Sequence, residues 1–97
     1  MFSLMRYDIA MVTRRDKSPV SPFTRQLAMV IKGRMAERGV TQTKVAAKLG
    51  RSQAYVSERV SGLEAWNTHE LSILSEILGY GDPFDMMDDL RMRVGRQ

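Results

Sequence analysis

The stretch Thr41–Gly62, TQTKVAAKLGRSQAYVSERVSG, constrains this 97-residue chain more than any other. Val45, Ala46 and Leu49 fall on one side of a helix, and Val56 and Val60, four apart, mark the buried side of another. Thr41 and Ser52 suit N-caps, because a hydroxyl there accepts from a first-turn N–H that has no partner inside the helix. Gly50 suits the stop between them, since it tolerates the left-handed conformation that ends a helix. The segment therefore predicts a helix from Thr41 to Gly50 and a second from Ser52 to about Ser61, closed by Gly62. Only Arg51 and Ser52 remain between them. At about 100° per residue, Ala54, Glu58 and Ser61 lie opposite Val56 and Val60, with Tyr55 and Ser57 on the flanks.

Two helices this short need a core from the rest of the chain, and the length allows one domain. Upstream, Phe23, Leu27, Val30, Ile31 and Met35 form an apolar stripe on a helix from about Ser21–Phe23 to Arg38, stopped by Gly39. Gly33 weakens that helix or lets another backbone come close. Downstream, Leu63–Trp66 is a connector, and Trp66 is expected to plug the space between helices. The next helix starts on Asn67 or Thr68, with Glu70 in its first turn, where the macrodipole favours an acid. Leu71, Leu74, Ile77 and Leu78 form its buried stripe, and Gly79 and Gly81 break it. Asp82-Pro83 opens a last helix over 82–94 whose stripe is Phe84, Met87, Leu90 and Val94. No stretch reads as a strand. The expectation is a compact all-α domain of four to five helices over residues 23–97. It is preceded by a basic arm, residues 1–22, ending in Ser18-Pro19-Val20-Ser21-Pro22. The arm's Arg14, Arg15 and Lys17 reach for phosphates, or the arm is a disordered tail; Met5 and Met11 are alternative starts.

Several functional classes are excluded. No cysteine is present, so neither a disulfide nor thiolate chemistry is available, and one histidine, His69, makes no His-based metal site. The acids of the C-terminal third lack the loop spacing of a calcium site, and no nucleophile has a base at motif distance. The chain is expected not to be an enzyme and to need no cofactor or metal. No apolar run approaches the roughly 20 residues of a membrane span, and Asp8, Arg14 and Arg15 interrupt any signal-peptide order. A cytoplasmic protein is the expectation. The net charge of +4 is uneven: residues 1–62 are basic, while residues 63–97 carry seven acids against three arginines. A basic front and acidic rear suit a polyanion on one side.

A short helix, a tight turn and a second short helix let one helix cross a nucleic-acid backbone while the next enters the major groove. At Gln42, Val45-Ala46, Leu49-Gly50, Ser52, Tyr55-Val56-Ser57 and Gly62 the chain resembles the lambda-repressor/Cro-type (Xre) helix-turn-helix family. Gly62, Ala65-Trp66, Glu70-Leu71 and Leu78-Gly79 are similar to a variant frequent in actinobacteria and their phages. The resemblance covers about residues 23–80. It implies a lambda-repressor-like domain that binds double-stranded operator DNA, usually as a homodimer, and a transcriptional regulator of the phage or prophage Cro/immunity type. It places Gln42 on a backbone phosphate, Gln53 on an adenine edge, Ala54, Tyr55 and Glu58 facing bases with Ser57 on the same face, and Ser61 and Asn67 near the backbone. Chemistry agrees: an amide matches adenine, and tyrosine offers a ring to the thymine methyl and a hydroxyl to phosphate. Lys44, Lys48 and Arg51 would position without reading sequence. Arg59 stands where the family often has an apolar residue, and either points at phosphate or pairs with an acid. Glu58 accepts from a cytosine amino group or pairs with Arg59 or Arg51. A second reading is an antitoxin-type module whose last helix or N-terminal arm binds a partner protein.

Overall fold

The computed structural model describes residues 20–95; the expectations placed on Arg14, Arg15 and Lys17 lie outside the described residues. Five helices follow in order: α1 (Pro22–Arg38), α2 (Gln42–Leu49), α3 (Gln53–Val60), α4 (Thr68–Ile77) and α5 (Pro83–Gly95). The protein is all-α, with no strand among the described residues. No described helix is long and apolar enough to cross a membrane.

Local chemistry sets the helix ends. Ser21, Thr41 and Ser52 each accept from the N–H three residues on, at 3.1 Å, which satisfies one of the unpaired donors of a first turn. α4 starts on Asn67 with a reciprocal capping box: the Glu70 N–H donates to Asn67 Oδ1 at 2.7 Å, and the Asn67 N–H donates to Glu70 Oε1 at 3.0 Å. Four helices stop in the same way. After α2, the Gly50 N–H donates to the Ala47 carbonyl and the Arg51 N–H to the Ala46 carbonyl, with Gly50 left-handed at φ 67°. Equivalent pairs of bonds close α1, α3 and α4.

The core is a single cluster. Leu27, Val30, Ile31 and Met35 of α1 meet Val45 and Ala46 of α2 and Val56 and Val60 of α3. Trp66, Leu74 and Leu78 join them from the connector and α4, and Met86 and Leu90 from α5. α2 packs on α3 and α4, α1 on α3 and α5, and α4 on α5. The expected stripes of α2, α3 and α4 face the core, with Leu49, Leu71 and Ile77 only partly buried against it, and Trp66 is buried as expected.

Three details differ from the sequence reading. Phe84, assigned to the last stripe, is 77% exposed, while Met86 is fully buried. They are two positions apart, which is about 200° around a helix, so the face of α5 that meets α1 and α4 runs through Met86 and Leu90, with Met87 and Val94 partly buried beside them. Phe23 is 52% exposed, because the first turn of α1 buries none of its residues. At Gly33 the nearest neighbour of an added Cβ is the Arg93 guanidinium at 3.9 Å, not another backbone.

A polar cluster fixes α5 to α1. Arg93 donates to Asp89 at 2.9 Å and reaches Glu37 with both terminal nitrogens, at 3.1 and 3.2 Å. The Tyr80 hydroxyl donates to Asp89, Arg34 lies over the Tyr80 ring, and Arg34 donates to the Leu78 carbonyl at 2.9 Å.

Candidate nucleic-acid interface

α2 and α3 meet across the turn Gly50–Ser52, held by the two backbone bonds after α2 and the Ser52 cap. Val56 and Val60 anchor α3 inward, which turns Gln53, Ala54, Glu58 and Ser61 to solvent, with Ser57 half-buried. The first turn of α3 opens to solvent through Ser52, Gln53 and Ala54. Its N–H groups and the positive end of its dipole favour an anion there. Arg51 is exposed at this end, and Gln42, half-buried, opens α2.

The structure brings Arg51, Tyr55, Glu58 and Arg59 together. The Arg51 and Arg59 guanidiniums lie 4.5 and 3.5 Å from the Tyr55 ring centroid. Arg59 donates to the Tyr55 carbonyl at 3.2 Å and pairs with Glu58 at 3.7 Å; its side chain is only 15% exposed. Of the two roles open to Arg59, it takes the acid pair, and Glu58 likewise pairs with Arg59. The Tyr55 hydroxyl, offered to phosphate in the sequence reading, donates to Glu70 Oε2. That bond, with partial burial, raises the tyrosine above its ordinary pKa of 10.0.

The remaining expected contacts lie elsewhere. Lys44 and Lys48 are exposed and line a groove between α2 and α4 with Ile73, Glu76 and Ile77. Asn67 is exposed, but its side chain is engaged in the cap of α4. Glu70 is the member of the site that sequence reasoning missed. The Asn67-x-x-Glu70 spacing signalled its role in the cap, but nothing in the sequence signalled the hydroxyl fifteen residues upstream. No group of three His, Asp or Glu side chains among the described residues is placed to hold a metal. Neither a family model nor a curated protein matches the chain.

Proposed function

We propose that the protein is a sequence-specific double-stranded DNA-binding transcriptional regulator of the repressor type, with α3 as the reading helix. The observation that carries this reading is the pairing of α2 and α3 across a three-residue turn, with the polar face of α3 and its N-terminus open beside Arg51. A major groove about 12 Å wide admits such a helix. Gln53, first on α3 and exposed, is the residue proposed to read adenine; Ala54, Ser57 and Glu58 complete the base-facing surface. Arg51, Gln42 and Ser61 are proposed to meet phosphates on either side. Occupancy of an operator, by a homodimer on a two-fold site, would exclude polymerase or a competing regulator. We prefer this to a partner-binding antitoxin because Met86 and Leu90 of α5 are already used inside the domain, which leaves only Phe84 and Met92 as large apolar side chains exposed on that helix.

Selection of binding sites from randomised DNA with the purified chain tests the proposal. The expected result is an enriched motif with two-fold symmetry. Affinity should fall with salt, each neutralised phosphate contributing about −0.9 to the log–log slope. Gln53→Ala should cost roughly 1–3 kcal/mol on the selected site and much less on random DNA. Equal losses on both DNAs would refute the base contact.

A further inference from the structure

We infer that Glu70 is a positioning residue for the reading helix: through the Tyr55 hydroxyl it fixes the aromatic ring against which Arg51 is held in front of α3. The inference rests on the DNA-binding reading for its consequence, but its structural half stands on the free protein.

Four observations carry it. Glu70 is a carboxylate only 3% exposed, and both its oxygens are engaged, Oε1 by the Asn67 N–H and Oε2 by the Tyr55 hydroxyl. A buried carboxylate needs such donors to stay where it is. Second, α3 and α4 do not pack on each other: α3 rests on α1 and α2, and α4 on α2 and α5. The Tyr55–Glu70 bond is therefore a direct side-chain tie between two helices that other elements hold apart. Third, Tyr55 sits on the flank of α3, with its ring held from the α4 side by that bond. Fourth, the two guanidiniums over the ring differ in exposure. Arg59 is mostly covered, with one terminal nitrogen engaged by Glu58 and the Tyr55 carbonyl, whereas Arg51 is exposed at the turn. Of the two guanidiniums on the ring, Arg51 is the one open to solvent.

An ordered arginine at the mouth of the reading helix sets register as well as adding charge. Phosphate contacts fix where a protein sits on the duplex, and so decide whether neighbouring side chains meet their base edges. Releasing the ring would leave the charge in place and lose its position. The signature is a fall in discrimination between sites with little change in general affinity.

The experiment compares wild type, Tyr55→Phe, Glu70→Gln, Glu70→Ala and the Tyr55→Phe/Glu70→Ala double variant, at a temperature where melting curves show each folded. Affinity is measured on the selected DNA site and on random DNA over a range of salt. Tyr55→Phe removes the hydroxyl without changing charge, so the ratio of specific to random affinity should fall about tenfold, as for loss of a hydrogen bond to a charged group, with the salt slope unchanged. Glu70→Gln keeps the cap and can still bond the hydroxyl, so it should retain most of the ratio. The double variant should discriminate no worse than Glu70→Ala. In the DNA-free protein, the Arg51 side-chain protons should show a ring-current shift that collapses in Glu70→Ala and survives in Glu70→Gln. An unchanged ratio in Tyr55→Phe, equal loss on both DNAs, or additive losses in the double variant would overturn the inference. A wild type that prefers no sequence would instead overturn the DNA reading. The ring-current result then decides positioning alone, and an Arg51 shift that persists in Glu70→Ala overturns it.

Discussion

Replacing Gly50 by alanine isolates the cost of the turn on which the two-helix unit depends. Gly50 has φ 67° and ψ 34°, and an added Cβ would meet nothing within 4 Å. The substitution therefore creates no clash, and its effect is confined to the backbone. A left-handed conformation costs an L-residue roughly 1–2 kcal/mol. Removing a glycine also reduces the freedom of the unfolded chain, which returns about 0.4–1 kcal/mol. The net loss should be about 1 kcal/mol, or roughly 4–8 °C in melting temperature for a domain of this size. Asparagine enters the left-handed region more readily than alanine, so Gly50→Asn should lose less. Urea unfolding at 25 °C, with the slope unchanged among variants, measures both. A Gly50→Ala protein as stable as the wild type, or a Gly50→Asn protein no better than Gly50→Ala, would refute the reasoning. Gly79→Ala is the parallel case: φ is 82°, and the new methyl would meet only the Arg38 guanidinium, the far end of an exposed side chain that can swing aside, so its loss should be close to that of Gly50→Ala.

Met86 and Phe84 of α5 give a second test: Met86→Ala should cost about 2–5 kcal/mol as a cavity in the core, while Phe84→Ser should stay within about 0.5 kcal/mol, both read from urea midpoints. The cluster between α1 and α5 makes stability fall at both pH extremes. Glu37, bonded by Arg93, lies below its ordinary 4.5. Burial pushes Asp89 up, but the Arg93 and Tyr80 hydrogen bonds outweigh it and hold it below 3.8. Depressed carboxylates stabilise above their unfolded pKa values, so this contribution is full above about pH 4.5 and drains as pH falls further; Asp89→Asn should flatten that limb in unfolding curves taken against pH. Tyr80 is pushed up to about 12, by burial first and then by its bond to Asp89. Its contribution is full below pH 10 and lost as pH rises toward about 12, so Tyr80→Phe should flatten the alkaline limb and leave the smaller part due to Tyr55.

Read from residues alone, the helix limits came out within a residue or two, because capping is local chemistry. Ser21, Thr41, Ser52 and Asn67 cap because their side chains reach an N–H three residues away, and Gly39, Gly50 and Gly62 stop helices because their own backbones turn left-handed. The inward faces of α2 and α3 were equally legible, since Val45, Ala46, Val56 and Val60 allow one buried side. The sequence by itself thus determined the all-α domain, its two-helix unit and the exposed face of α3. Tertiary structure decided the rest. Phe84 and Met86 are both apolar and lie on opposite faces of α5, and only the direction from which α1 and α4 approach settles which one is covered. Lys44, Lys48 and Arg51 are alike as charges, but α4 lies beside the lysines and the Tyr55 ring lies beside Arg51. Tyr55 carries a hydroxyl that would suit phosphate, and it is Glu70, brought up by the cap of α4, that takes it. Caps and stripes depend on neighbours within one or two turns, which a sequence displays. The partner of a half-buried hydroxyl or guanidinium depends on which helix the fold sets beside it.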